Sequence, residues 1–195
     1  MQSAKERTGL GQVSRLPPLP DPPTDPILLE LQGDTRSRGG EVINLHLTLG
    51  HAPKVAKARR ALSGALRRDA MTPRVLRELV ILRTAQIVRS DYELNQHLPM
   101  ALKSGLTQQQ LDDVARWRDS KAFDERQRAV LAYVEQLLAG GDVDDATFAA
   151  MTEHFTPQEI IEISVTATNY YGTGLLTRAL RIEVETDGRQ TAHSL

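Results

Sequence analysis

Apolar residues recur at intervals of three and four through most of the chain after residue 40, which is the spacing of one face of an α-helix. The stretch VLRELVILRTAQIV (75–88) is apolar around most of its circumference, so we expect a helix that is buried on most sides. No segment shows sustained two-residue alternation, so essentially no sheet is expected. The pattern therefore predicts an all-α fold.

Polar caps and glycines mark where these helices begin and end. Capping boxes occur at Thr107–Gln110, Asp124–Gln127 and Thr156–Glu159, each of which predicts a helix start. Gly140-Gly141 predicts the end of the helix that the second box opens. Thr72-Pro73 predicts a further start, with a hydroxyl cap followed by proline at the first helical position.

The first 39 residues differ from the rest of the chain. RLPPLPDPPTDP (15–26) holds six of the ten prolines, and proline has a fixed φ and no amide hydrogen. We therefore expect an extended arm over residues 1–39, a helical domain over 40–186 and a flexible tail over 187–195. Two roles are open for the arm: a PxxP docking motif, or packing over its own domain or a neighbouring subunit.

A faint internal repeat links two of the predicted helices. TPRVLRELVILRTA (72–85) and TPQEIIEISVTATN (156–169) both begin with Thr-Pro and carry an acid at the seventh place, Glu78 and Glu162. This similarity suggests two related helical halves around one core. Chance is the alternative explanation, because Thr-Pro is a common helix start.

Composition narrows the function classes. The 24 Lys and Arg balance 25 Asp and Glu, so neither nucleic acid nor an anionic membrane is expected as a partner. The absence of cysteine excludes disulfides, thiolate nucleophiles and cysteine-based metal sites. No apolar run approaches the roughly 20 residues of a membrane span, and the start lacks the apolar region of a signal peptide. We therefore expect a cytoplasmic protein.

Glu78 is the first candidate for chemistry, because it lies within an apolar run. A buried carboxylate is costly unless it is paired, and without a charge partner its pKa rises. Such a group is a candidate general acid or base. The alternatives are a structural ion pair with Arg74 or Arg83, or exposure on a narrow polar stripe of the helix.

Glu93 and His97 form a second candidate pair, in the stretch RSDYELNQH (89–97). They are four residues apart, so they share a helix face, and a carboxylate that orients an imidazole can relay a proton. The alternative is structural. Ser90 and Glu93 also fit a capping box, in which Glu93 returns to the amide of Ser90.

Other polar residues are candidates for substrate binding. His46 and His51, together with His97 and a glutamate, have side chains that bind divalent metals, but no tight ligand motif is present and we expect no metal. Arg178 lies on the last long helix with Tyr170, and its guanidinium can bind a substrate carboxylate through forked hydrogen bonds. A solvated helix face is the alternative for these two residues.

RELVILRTAQIVRSDYELNQHLPMALKSGLTQQQLDDV (77–114) resembles the signature region of the carboxymuconolactone decarboxylase and AhpD-like superfamily. The matching features are R-E-L followed by apolar residues, then Y-E-x-x-x-H, and then G-L-T before an apolar position. The flanking helices extend the likeness over most of residues 40–182. The resemblance implies an AhpD-like helical bundle that assembles as a homo-oligomer, a trimer or hexamer.

The superfamily has a thiol branch and a decarboxylase-like branch. In the thiol branch two cysteines would fall on Ser90 and Glu93, so thiol peroxidase activity is not expected here. The decarboxylase-like branch carries Y-E-W-x-x-H and works without a cofactor, and Leu94 stands here in place of that tryptophan. The resemblance implies that Glu78, Glu93 and His97 are the catalytic residues of a chain that needs no cofactor.

The expected function is that of a cofactor-free acid–base enzyme, a decarboxylase-like lyase or an isomerase. Its substrate would be a small carboxylated, carbonyl or lactone compound, bound in a pocket between the Glu78 helix and the His97 helix. Tyr92 is expected to donate a hydrogen bond to the developing oxyanion. The alternative is a non-catalytic family member that binds a small ligand or a protein partner, and a metal-dependent hydratase or isomerase is a third option.

Overall fold

A computed structural model describes residues 13–186. Within that range the chain forms α-helices and no β-strand, which confirms the all-α prediction. The helices are α1 (Pro26–Ser37), α2 (Asn44–Leu49), α3 (Pro53–Gly64), α4 (Arg74–Val88), α5 (Asp91–Ser104), α6 (Gln108–Asp113), α7 (Glu125–Gly140), α8 (Asp145–His154) and α9 (Pro157–Leu180). A π-helical turn occupies Ala65–Asp69, and a 3₁₀ turn occupies Val114–Arg116.

The chain divides into two compact units, and each is described by itself. One unit comprises Leu66–Leu175, and the other comprises the residues before and after it. The starts of α4 and α9, which carry the repeated Thr-Pro pattern, both lie in Leu66–Leu175. The division into units therefore does not separate the two predicted halves.

Helix α1 corrects the expectation of an extended arm throughout residues 1–39. Asp25 caps this helix, because its Oδ1 accepts hydrogen bonds from the amides of Ile27 at 2.8 Å and Leu28 at 3.2 Å. Pro26 occupies the first helical position, where a missing amide hydrogen costs nothing. Residues 1–12 of the arm and the tail at 187–195 lie outside the described residues.

The proline-rich segment lies against its own unit. The Arg15 amide donates to the Leu180 carbonyl at 2.9 Å, and the Ser14 hydroxyl donates to the Arg181 carbonyl at 3.0 Å. His51 Nε2 lies 2.8 Å from the Pro17 carbonyl, which can only accept, so the imidazole donates. Hydrogen bonds to backbone carbonyls and from a histidine side chain therefore hold the segment at several points along its length.

Helix α4 is the central element of Leu66–Leu175, as its apolar pattern predicts. Its buried residues contribute to two apolar clusters, one shared with α7, α8 and α9 and the other with α5, α6 and the segment around Trp117. The large side chains that are fully buried in these clusters include Leu79, Val80, Leu82, Val130, Leu131, Val134, Met151 and Ile163. Since α4 is enclosed by both clusters, a polar side chain on it must find its partners inside the protein.

The predicted helix starts at Thr107, Asp124 and Thr156 are confirmed. Both halves of the capping box are present at the first two, and the Thr156 and Glu159 side chains bond each other's amides at 3.3 Å and 3.0 Å. Gly141 ends α7 with a φ of 85°, a conformation that favours glycine. These local signals therefore fixed the helix boundaries without help from tertiary structure.

The predicted hydroxyl cap at Thr72 is wrong. Pro73 occupies the N-cap position of α4 and makes no side-chain cap. The Thr72 hydroxyl instead donates to Glu162 Oε2 at 2.7 Å, and the Thr72 amide donates to the same oxygen at 2.8 Å. The acid that the repeat aligns with Glu78 therefore anchors the segment that leads into α4.

Glu162 should contribute stability that disappears in acid. Burial alone would raise the pKa of this carboxyl, but hydrogen bonds from Thr72, Gln158 and Met71 lower the pKa from 4.5 to about 2. Because the folded value is the lower one, the contribution is complete above about pH 4.5 and is lost as the pH falls towards 2. We expect Glu162→Gln to remove about 1 kcal/mol of this pH-dependent stability, since the group is half-exposed and screened by solvent. Urea unfolding of the wild-type protein and the variant at acid and neutral pH measures the effect. An equal loss of unfolding free energy in the two proteins as the pH falls would contradict it.

Candidate active site

Glu78 projects from the enclosed helix α4 and is only 4% exposed. Its Oε2 lies 2.8 Å from His97 Nδ1, and its Oε1 lies 3.4 Å from Arg74 Nε. Arg83, the other candidate partner, bonds Glu135 instead, with Nε to Oε1 at 2.8 Å. The buried carboxylate therefore has both a charged partner and a hydrogen-bonded imidazole.

Helix α5 presents Glu93 and His97 on its buried face. Ser90 is the N-cap, and its hydroxyl oxygen accepts the Glu93 amide at 3.3 Å, as the capping pattern predicts. His97 Nε2 lies 3.7 Å from Glu93 Oε2, which is longer than a hydrogen bond. The imidazole thus lies between two glutamates and is hydrogen-bonded to Glu78 on α4.

The electrostatics of Glu78 favour the ionised form. Burial would raise its pKa, but the charge and hydrogen bond of His97 and the charges of Arg74 and Arg67 outweigh burial and hold the pKa below its ordinary value. An ionised carboxylate can only accept, so the proton of the short contact resides on His97 Nδ1. Glu78 is therefore equipped to accept a proton at neutral pH, with His97 as its proton partner.

Tyr170 on α9 completes the enclosure of His97. The two rings meet edge to face, with centroids 5.0 Å apart. Burial, together with the charges of Glu93 and Glu78, raises the pKa of Tyr170 well above its ordinary value, so the phenol stays neutral. Tyr170 also lines the cavity described next, where a neutral phenol is able to donate a hydrogen bond to a ligand.

A small cavity lies beside this group. Its polar lining residues are Arg67, Arg74, Arg77, Glu78, Thr166 and Tyr170, and Leu66 and Ile81 complete the wall. Three arginines face one carboxylate, so the cavity favours an anionic ligand. Of the residues that contact His97, Glu78 and Tyr170 line the cavity.

This cavity differs from the pocket that the sequence predicts, which stays a prediction. The sequence predicts a pocket between the helices of Glu78 and His97, but no residue of α5 lines the cavity. The physical reason is that the His97 side chain fills the space beside Glu78 and is only 5% exposed. The opposite wall comes from the Leu66–Arg67 turn and from α9.

The remaining candidate residues do not line this cavity, and their role in substrate binding stays a prediction. Tyr92 is buried in the first turn of α5 and does not line the cavity. His46, His51 and Arg178 belong to the other unit, so the site described above does not include them. Sequence reasoning missed Arg77 and Thr166; a charged residue within the apolar run of α4 was the available signal for Arg77.

Gly174 controls how closely α9 approaches the start of α5. A Cβ at this position would lie 2.4 Å from Val88 Cγ1 and 3.2 Å from Cβ of Ser90, the cap of α5. We expect Gly174→Ala to destabilise the fold by about 1–3 kcal/mol. A Cβ at Gly172 would meet nothing within 4 Å, so Gly172→Ala should stabilise α9 by up to about 1 kcal/mol. Urea unfolding of both variants checks this, and shifts of the same sign would contradict the close approach.

Residues 13–186 contain neither a cluster of candidate metal ligands nor a candidate membrane-spanning helix. No group of three or more His, Asp or Glu side chains in this range is arranged to hold a metal ion. None of the helices in the same range has the length and apolar character needed to cross a membrane.

One family model matches the part of the chain that carries Glu78, Glu93 and His97. Residues 53–136 match the model of the carboxymuconolactone decarboxylase family. The matched region includes the buried group of Glu78, Glu93 and His97. The chain, the matched region included, has no cysteine.

Several solved structures share the fold of this chain. An AhpD-core, peroxidase-related protein from Ralstonia eutropha JMP134 matches with a TM-score of 0.76 and 23% identity, over 90% of this chain and 94% of that one. A peroxidase-related protein from Silicibacter sp. TM1040 matches with a TM-score of 0.74 and 17% identity, over 89% and 95% of the two chains. The apo form of the debrominase Bmp8 matches with a TM-score of 0.75 and 17% identity, over 88% of this chain and 92% of that one. At these identities the likeness establishes the fold alone.

No curated protein sequence matches the chain.

Proposed function

We propose that this carboxymuconolactone decarboxylase-like chain is a cofactor-free acid–base enzyme. Its substrate class is a small carboxylated compound with a carbonyl or lactone group, and its reaction is that of a lyase or an isomerase. The observation that carries the proposal is the ionised Glu78, which faces a cavity lined by three arginines while His97 holds its other side. Thiol chemistry is not available, because the chain has no cysteine.

The proton transfer follows from which atoms face the cavity. Glu78 accepts a proton from a carbon beside the substrate carbonyl, and the C–H bond pair stays on the substrate as an enolate. In an isomerisation the same carboxyl returns the proton to another carbon. In a decarboxylation the C–C bond pair forms the enolate as carbon dioxide leaves. The imidazolium form of His97 then gives its Nδ1 proton through Glu78 to the enolate carbon, and the neutral imidazole that remains takes a new proton from water.

The enolate oxygen needs stabilisation, and the cavity supplies donors for it. The neutral Tyr170 phenol donates a hydrogen bond, and the lining arginines add positive charge. Glu93 lies 3.7 Å from the far nitrogen of His97, where its carboxylate stabilises the imidazolium form of His97 that supplies the proton. This assigns His97 as a proton partner of Glu78 and Glu93 as a positioning residue.

The test is conversion of a panel of β-keto acids and unsaturated carboxylated lactones. We expect the protein to convert at least one compound, with release of carbon dioxide or a shifted double bond, and His97→Gln to lose that activity. Folded protein that converts none of the compounds, or a His97→Gln variant with full turnover, would contradict the proposal.

A further inference from the structure

Arg77 lines the cavity, and its guanidinium is only partly hydrogen-bonded. Its Nη1 donates to the Leu66 carbonyl, which fixes the plane of the group. Its Nε is buried and has no hydrogen-bond partner within residues 13–186. Since Arg77 lines the cavity, the Nε–Nη2 edge is held in place for a ligand with two acceptor oxygens.

Thr166 places a second unused donor on the same cavity. It is 1% exposed, and its Oγ1 is buried without a partner in the described part of the chain. A helical threonine or serine commonly returns its hydroxyl to the carbonyl one turn earlier, and on α9 Ser164, Thr168 and Thr173 do so at 2.6 Å, 3.0 Å and 2.7 Å. Thr166 departs from these neighbours, although leaving a buried hydroxyl unbonded is unfavourable.

We propose that Arg77 and Thr166 form a subsite for the carboxylate of the ligand. The Nε and Nη2 hydrogens of Arg77 match the two oxygens of a planar carboxylate, and the Thr166 hydroxyl donates to one of them. The inference rests on the proposed function for the use of the cavity and deepens it, since it assigns which groups hold the carboxylate. Glu78 and Tyr170 line the same cavity and are left for the reacting carbonyl end.

Charge favours a monocarboxylate over a more highly charged anion. Three arginines line the cavity, and one of them, Arg74, already faces the Glu78 carboxylate. A phosphate dianion would carry a second negative charge, which the Glu78 carboxylate repels. It would accept no more hydrogen bonds from the Arg77 edge than a carboxylate does. The subsite therefore fits a small keto acid that carries one carboxylate.

The binding test uses sodium 4-oxopentanoate, a small keto acid, with the full-length protein in a calorimeter. We expect a Kd on the order of 1 mM, which is about −4 kcal/mol, and binding at least tenfold weaker for the neutral methyl ester. Inorganic phosphate is the comparison anion. Absence of keto acid binding, or equal affinity for the ester or for phosphate, would overturn the subsite.

Two variants assign the contacts, and a matched threonine serves as control. Thr166→Val keeps the shape and should weaken 4-oxopentanoate binding about tenfold, while Arg77→Lys keeps the charge but loses the forked edge and should weaken it by at least as much. Thr168→Val alters an exposed threonine on the same helix and should leave the Kd unchanged. Unchanged affinity in both Thr166→Val and Arg77→Lys would overturn the assignment.

Stability separates a ligand-binding hydroxyl from a structural one. Since the Thr166 hydroxyl has no partner in the described protein, Thr166→Val should unfold at the same temperature as wild type or higher. A clear fall in its unfolding temperature would show that the hydroxyl serves the fold, which contradicts the subsite.

The same titrations distinguish this inference from the proposed function. His97→Gln removes the proton partner but does not alter the cavity lining, so it should bind 4-oxopentanoate as tightly as wild type. Binding that depends on Arg77 and Thr166 without any conversion of substrates would support the subsite and reject the enzyme. Conversion of substrates with a KM unaffected by Thr166→Val and Arg77→Lys would reject the subsite and keep the enzyme.

Discussion

Glu78→Gln should lower turnover roughly 10²- to 10⁴-fold, the range that a general base contributes. Glutamine has nearly the same shape, and its amide oxygen can still accept from His97 Nδ1. What it loses is the ability to accept a proton from the substrate. KM should change much less than kcat, because the cavity keeps its three arginines. The measurement is steady-state kinetics on whichever compound of the panel the wild-type protein converts.

Glu162→Gln is the matched control for this change. Glu162 occupies the equivalent place in the repeated sequence pattern, but its carboxylate bonds Thr72 and does not line the cavity. We expect this variant to lose acid-range stability and to keep its turnover at neutral pH. A Glu78→Gln variant that stays folded and retains wild-type kcat, or an equal loss in Glu162→Gln, would remove Glu78 from the proton-transfer step.

Ile163→Ala should lower the free energy of unfolding by about 2–5 kcal/mol. The Ile163 side chain is 0% exposed and packs in the cluster that joins α4, α7, α8 and α9. Truncation removes apolar area from this cluster and leaves a cavity that a close-packed helical core can only partly refill. Urea unfolding at neutral pH, followed by circular dichroism, measures the loss.

Ile161→Ala provides the comparison on the same helix. Ile161 lies two residues away and is 64% exposed, so its truncation should change the free energy of unfolding by no more than about 0.5 kcal/mol. Similar losses in the two variants would show that burial of α9 against this cluster is not what stabilises the unit.

Local signals in the sequence were sufficient for most helix boundaries and for the burial of α4. The capping boxes at Thr107 and Asp124 and the glycine after α7 act within one turn, so one sequence suffices to read them. The apolar circumference of α4 likewise required an enclosed helix. At Thr72 a tertiary hydrogen bond to Glu162 replaced the local cap, and no spacing rule could have indicated it.

The candidate site was predicted in part. Glu93 and His97 share a helix face by spacing, whereas the bond between Glu78 and His97 joins two helices and depends on how α4 packs on α5. The family resemblance placed the three residues together before the geometry was known. Arg77 and Thr166 could not be predicted from the sequence. They stand out because each has a buried donor without a hydrogen-bond partner in the described residues, and no sequence pattern indicates such a donor.

The most direct test of the account is the rate of deuterium incorporation from heavy water at the carbon beside the carbonyl of a keto acid, followed by proton NMR. The account predicts exchange that is catalysed by the wild-type protein and greatly slowed in Glu78→Gln and His97→Gln, while both variants still bind the keto acid. Catalysed exchange that survives both substitutions, or folded wild-type protein that binds the keto acid and catalyses no exchange, would contradict proton transfer by the Glu78–His97 pair.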